Sequence, residues 1–167
     1  CIRDRDTITG SVPEGEKMLD RTEAGYGQGL DLASPFGMAM VASSVAAGRA
    51  PTPYLISGEN HHTKAQNEEA KTDAKKKLDP KVIEQLRRMM RAVVTNGSGS
   101  GVADAGEVYA KTGEAEINGG SHSWLAGYRG DLAFATLVVL GGGSEHATAV
   151  TSNFFKNLDG SGAKRPE

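Results

Sequence analysis

The side chains in this 167-residue sequence that could do chemistry are few. Lys111-Thr112-Gly113 sets an ammonium donor and a hydroxyl beside a residue with no side chain, inside a run with strand character. Taken alone the tripeptide also suits an ordinary edge strand, where Lys is common and Thr favoured. Ser161-Gly-Ala-Lys164 puts a serine three residues before a lysine, but in a Gly-rich stretch with no helix to bring the two together, so chance explains the spacing. His61-His62 lacks the Cys or carboxylate cluster that a metal centre needs, and adjacent side chains diverge. His122 and His146 have no evident partner and read as surface or supporting residues. Gly141-Gly-Gly-Ser144 lacks the Gly-Lys-Ser/Thr ending of a phosphate loop, and Glu145 sets negative charge where the anion would sit, which leaves a flexible turn.

The elements that must position Lys111 follow from periodicity. Ser34-Pro35 is a cap-plus-proline start and Gly48 a left-handed stop, which predicts a helix of about 13 residues whose small side chains let it be buried on several sides. Asp79-Pro80 repeats the start signal, and Val82, Ile83, Leu86, Met89, Met90 and Val93 recur at helical spacing. After Asn96-Gly-Ser-Gly-Ser-Gly101 come three strand-like runs, Glu107–Glu116, His122–Arg129 and Leu132–Leu140. Asn118-Gly-Gly120 and Gly130-Asp131 are turn sequences, so the runs predict an antiparallel meander. Ala147, Val150, Phe154, Phe155 and Leu158 predict a final amphipathic helix, with Trp124, Phe154 and Phe155 as core.

Residues 1–31 show neither period and read as irregular surface chain, and Tyr54-Leu-Ile56 as a short extended piece. From Glu59 to Asp79 ten residues are charged and almost none apolar, so a segment over about 59–78 is expected to be mobile. Residues 160–167 read as a polar tail, and the opening Cys1-Ile-Arg-Asp-Arg-Asp6 as the cut end of a longer chain.

Composition narrows the partners. A net charge of −2 gives no global field for nucleic acid or an anionic membrane. The local excess of Lys and Arg over 64–91 has no interleaved aromatics to stack bases and reads as a solvated face. No apolar run approaches the roughly 18–20 residues of a spanning helix. The single Cys1 excludes an internal disulfide and a cysteine-rich metal site, and no cofactor is implied.

The order of a Lys-Thr-Gly strand, a turn, an aromatic strand (His122-Ser-Trp124-Leu-Ala-Gly-Tyr128), an apolar strand and a last helix resembles the C-terminal part of the transpeptidase domain of penicillin-binding proteins. That fold is shared with serine β-lactamases. Ala24-Gly-Tyr-Gly-Gln28-Gly-Leu-Asp-Leu-Ala-Ser34-Pro35-Phe-Gly-Met38-Ala, running on to Gly48, is similar to a stretch of the class B, monofunctional members. Leu86 to Gly99 is similar to a helix end of theirs. The resemblance implies an α+β fold in which residues 1–159 are the C-terminal portion of a transpeptidase domain, the sheet backed by the last helix and the Ser34 and Asp79 helices on its other side.

It also implies the function: peptidoglycan D,D-transpeptidation by serine acyl transfer, acting on D-Ala-D-Ala stem peptides and trapped by β-lactams. The place would be the bacterial cell envelope, outside the cytoplasmic membrane, with any membrane contact made through an anchor elsewhere in the parent protein. By the resemblance Lys111 serves the proton route, Thr112 the substrate carboxylate, Gly113 leaves room for the acyl group, and the Glu114 backbone N–H donates to the oxyanion. Glu114 departs from the usual Thr or Ser and shares a face with Thr112, setting a like charge near the bound carboxylate, with Lys111 the nearest neutralising group if the strand bulged. The family's S-x-x-K nucleophile and S-x-N motif are not found where they belong, so this piece alone is expected to be inactive and to need the preceding part of the same domain. The alternatives are a serine β-lactamase or D,D-carboxypeptidase, or a non-catalytic binding module that keeps the fold; an upstream S-x-x-K would separate enzyme from module.

Overall fold

A computed structural model describes residues 9–15, 17–53 and 77–160. In chain order the elements are β1 (Gly10–Ser11), α1 (Met18–Ala24), β2 (Leu32–Ala33), α2 (Pro35–Ala47), α3 (Pro80–Asn96), a 3-10 helix (Ser100–Ala105), β3 (Val108–Ile117), β4 (Gly120–Arg129), β5 (Leu132–Val138) and α4 (Glu145–Gly160).

Local signals set the two inner helices. Ser34 Oγ accepts the Gly37 N–H at 3.0 Å, Pro35 takes the first turn, and Gly48 closes α2 at φ 67°. Asp79 caps α3 through the Lys81 N–H at 2.8 Å. The turn residues fold the sheet. Ile117 faces Gly120 across a two-residue turn with Gly119 at φ 92°, and Arg129 faces Leu132 across one with Gly130 at φ 60°. The result is an antiparallel sheet in the order β3-β4-β5 with unbroken register.

The fully buried cluster is Val94, Val102, Val108, Ala110, Leu125, Ala147 and Phe155, drawn from α3, the 3-10 helix, β3, β4 and α4. The helix α4 covers that face of the sheet. Ser123 on β4 anchors it by accepting the Ala147 N–H at 2.9 Å, which satisfies one of the orphan donors of a helix start. The other face is covered by α2, with Ala42 and Val45 buried. Both faces of β4 are therefore closed over Leu125–Tyr128.

Several expectations are corrected. The Asp79 helix does not lie wholly on the face of α2: it runs beside β3, with Arg87 and Arg91 toward α2 and Tyr109 and with Val94 in the cluster under α4. Its inner stripe differs as well. Val82 and Met89 are exposed, whereas Arg87 and Arg91 are half-buried because their guanidinium groups end on carbonyls, Arg87 on Val45 and Ala46 at the end of α2, and Arg91 on Val108. Apolar period alone misses a stripe that includes arginines with carbonyl partners. The helix α2 is fully buried only at Ala42 and Val45, with most of its other residues partly covered and Val41 exposed.

Residues 1–31 are not all irregular. Met18–Ala24 forms a short helix in which Asp20 accepts the Lys17 N–H at 3.2 Å, and β1 pairs with β2. Because α1 buries nothing, it leaves no apolar period to read. The helix α4 runs through Gly160, and Phe154, expected in the core, is 48% exposed beside buried Phe155. Tyr54-Leu-Ile56, the polar run from Glu59 to Lys76, His61-His62 and residues 161–167 lie outside the described residues. The chain departs and returns at one place, where Arg49 and Lys77 form an antiparallel bridge.

Candidate functional site

The site begins with the direction of the β3 backbone. In a strand the N–H and C=O of one residue point to the same side, and successive residues alternate. Gln28 bonds the Glu114 carbonyl and the Glu116 N–H from the side opposite β4, so the backbone groups of the even-numbered residues of β3, Thr112 and Glu114 among them, face the open edge. The Glu114 N–H thus points out of the sheet beside Thr112.

Thr112 is 7% exposed, and its hydroxyl lies 2.7 Å from that of Ser98, in the loop after α3. Gly113 stands opposite Trp124 on the other face, where a Cβ would come 3.2 Å from the Trp124 Cβ, so packing alone asks for a small residue there. Lys111 is exposed on that same other face, and its Nζ bends to the edge to donate to the Thr112 carbonyl at 2.7 Å. Glu114 does lie on the Thr112 face. No bulge brings Lys111 to it; its Oε1 accepts the Ser121 hydroxyl at 2.6 Å, which draws the carboxylate toward the hairpin end. The structure therefore brings Thr112, Glu114, Ser98 and Ser121 to one face, with Lys111 at the edge.

Sequence reading gave no role to Ser98, Ser121 or Gln28. Gln28 was visible only as part of the glycine-rich stretch that resembles the class B members. Gly27 and Gly29 stand at φ 80° and 72°, the left-handed region that glycine alone enters freely, and the turn they make presents the Gln28 carboxamide to β3. Its Nε2 donates to the Glu114 carbonyl at 2.8 Å and its Oε1 accepts the Glu116 N–H at 3.1 Å. The sequence separation of 86 and 88 residues hides this contact from any local pattern.

Other candidates take structural parts. His122 does have a partner: its Nδ1 accepts at 3.0 Å the N–H of Leu140, which is itself held at φ 54°. In the glycine run, Gly142 at φ 71° donates to the Ser121 carbonyl, which ties the turn to the sheet. His146 sits 3.6 Å from Glu145 at the exposed start of α4. Beyond Ser98 a shallow groove of about 350 Å³ opens along Thr148, Ser152 and Lys156 of α4, and neither Thr112 nor Glu114 lines it. Among the described residues no group of three His, Cys, Asp or Glu side chains could hold a metal.

Tyr109 and Tyr128 stack 4.8 Å apart on the α2 face. The Tyr109 hydroxyl donates to Glu107, and this bond, with burial, raises its pKa above the usual phenol range. Burial raises that of Tyr128, offset in part by the Arg87 guanidinium. Arg129 holds both Asp159 carboxylate oxygens at 2.8 Å and keeps that carboxyl below its ordinary range.

Residues 2–158 match the family described as the penicillin binding protein transpeptidase domain. Among solved structures, the chain is similar to a penicillin-binding protein from Helicobacter pylori, solved in complex with MreC, at 19% identity and a TM-score of 0.68. The match covers 94% of this chain and 32% of that one. A D,D-transpeptidase domain of a peptidoglycan glycosyltransferase from Eggerthella lenta matches at 24% identity and a TM-score of 0.60, over 80% of this chain and 34% of that one. Penicillin-binding protein A from M. tuberculosis, solved as an imipenem acyl-enzyme complex, matches at 18% identity and a TM-score of 0.68, over 89% and 36%. This chain thus spans about a third of the length of these structures. No curated protein matches. The likeness bears out the α+β fold with its three-stranded antiparallel sheet.

Proposed function

The chain belongs to the penicillin-binding protein transpeptidase domain family, and from that premise we propose that it forms the substrate-holding side of a peptidoglycan D,D-transpeptidase at the extracytoplasmic face of the bacterial membrane. The observation that carries the reading is the outward-facing Glu114 N–H on the open edge of β3, next to the Thr112 hydroxyl. An N–H fixed on a strand needs no reorganisation when charge develops on an acyl oxygen, which is what an oxyanion donor requires.

In this reading a stem peptide ending in D-Ala-D-Ala lies along the edge, its terminal carboxylate on the Thr112 hydroxyl, which Ser98 orients from 2.7 Å. Lys111 adds positive charge beside the reacting groups, and its Thr112 carbonyl contact holds the ammonium at the edge rather than in solvent. Gly113 keeps the neighbouring surface low. No cofactor takes part. The acyl acceptor serine belongs to an S-x-x-K motif; the Ser161–Lys164 spacing follows the last helix and is no substitute for one. The chain therefore acts together with the preceding part of its domain, and β-lactams enter as mimics of the D-Ala-D-Ala end.

Acylation by a labelled penicillin, read by intact mass, tests the proposal. The full-length protein should take up one label, and Lys111→Ala should slow the rate by about 10² or more, the usual cost of losing a proton-handling or charge-stabilising group. The 167-residue chain alone should take up none. A stoichiometric adduct on that chain, or a Lys111→Ala protein that acylates at the parent rate, overturns the assignment.

A further inference from the structure

An open sheet edge binds extended peptides by accepting them as a further strand, through its outward N–H and C=O groups. On β3 side chains already sit on several of these. Arg91 Nη1 donates to the Val108 carbonyl at 2.9 Å, Lys111 Nζ to the Thr112 carbonyl at 2.7 Å, and Gln28 Nε2 to the Glu114 carbonyl at 2.8 Å.

Gln28 differs in kind from the two cations. Its carboxamide is a planar donor and acceptor, and it spans the Glu114 carbonyl and the Glu116 N–H together, as the N–H and C=O of one residue of an added parallel strand would. The Glu114 carbonyl keeps a second lone pair for a ligand. The Glu116 N–H has a single proton, and Gln28 holds it. Main-chain pairing along this edge can therefore include Thr112 and Glu114 and can go no further toward the hairpin.

We infer that Gln28 is a strand-mimicking stop: it fixes where backbone pairing of a bound peptide with β3 ends, and so makes the site read only the last residues of a chain. The inference rests on the transpeptidase reading for the identity of the peptide and for its direction. With the terminal carboxylate at Thr112, the residues that precede the two D-alanines run toward Glu116, meet Gln28 and leave the edge. They gain no main-chain bonds there, so peptide length beyond the D-alanines adds nothing to affinity through β3.

The test compares N-acetyl-D-Ala-D-Ala with an N-acetylated stem pentapeptide ending in D-Ala-D-Ala, titrated calorimetrically into the full-length protein and its Gln28→Ala variant. In the parent the two Kd values should lie within about 2-fold of each other, whereas in the variant the pentapeptide should tighten relative to the dipeptide by about 5-fold, what one added main-chain hydrogen bond contributes. Amide exchange at Glu116 should quicken in the variant while Leu125 stays protected, showing a local change. If Gln28→Ala does not fold, Gln28→Asn, one methylene too short to span both groups, gives the same comparison. An unchanged Kd ratio in a folded variant, or no pentapeptide binding by any of the proteins, overturns the inference. Failure of the transpeptidase reading shows separately, as a parent protein that no labelled penicillin acylates, and leaves the Kd ratio to judge Gln28.

Discussion

Replacing Glu114 by Gln removes one negative charge from the Thr112 face while keeping an acceptor for the Ser121 hydroxyl. Residues two apart on a strand are separated by about 6.7 Å, and the pull of Ser121 toward the hairpin adds to that, so a substrate carboxylate on Thr112 lies about 8 Å from the Glu114 carboxylate. At that separation the repulsion is about 0.5 kcal/mol in bulk water and about 2 kcal/mol at the effective dielectric of a protein surface. Glu114 is exposed, which places the value toward the lower figure. The Glu114→Gln form of the full-length protein is therefore expected to acylate about 2- to 5-fold faster with an anionic penicillin, since 1.4 kcal/mol is tenfold in rate. The gain must depend on salt: the screening length falls from about 30 Å at 0.01 M to about 3 Å at 1 M, so most of the advantage survives at the first and almost none at the second. Stopped-flow acylation at the two ionic strengths reads both. A rate that is unchanged or slower at 0.01 M, or a gain that persists at 1 M, refutes the electrostatic argument and leaves Glu114 with only its backbone in play.

Gly127→Ala should cost at least about 2 kcal/mol of stability by overpacking, because the new Cβ would stand 2.2 Å from the Tyr109 carbonyl oxygen and 2.9 Å from Ala110; chemical denaturation measures it, and a loss below about 0.5 kcal/mol would show that the two strands can part without harm. Tyr109 and Tyr128 keep their protons above the usual phenol range, so their share of stability is whole below the unfolded value and declines as pH rises through the native ones. Absorbance at 295 nm should show two tyrosines ionising late, and normal titration of all four would contradict it. Asp159 runs the other way: held below its ordinary value by Arg129, its contribution is present above the unfolded carboxylate range and lost as pH falls through the native value, an effect that Asp159→Asn should abolish in acid melting curves.

What could be read from the sequence was what neighbouring residues decide. Ser34, Pro35 and Gly48 bound α2 because a helix end is satisfied within a few residues of itself, and Gly119 and Gly130 fix the meander for the same reason. Strand alternation placed Glu114 on the side of Thr112. What was lost depends on distance along the chain or on burial. Gln28 and Glu114, or Ser98 and Thr112, meet only after the helices have packed. Arg87 and Arg91 look like solvated charges until the carbonyls they reach are in place, and Phe154 looks like core until Phe155 is seen to fill it.

The bridge between Arg49 and Lys77 has a consequence for engineering. Because the chain returns to the place it left, the Leu78 N–H is tied to the Gly48 carbonyl at 3.1 Å, and Arg87 holds the Val45 and Ala46 carbonyls, α2 and α3 are tied to each other where they meet. A reporter, an affinity handle or a fluorescent label spliced in between Pro53 and Lys77 is therefore expected to leave these ties, and with them the Lys111 strand, in place.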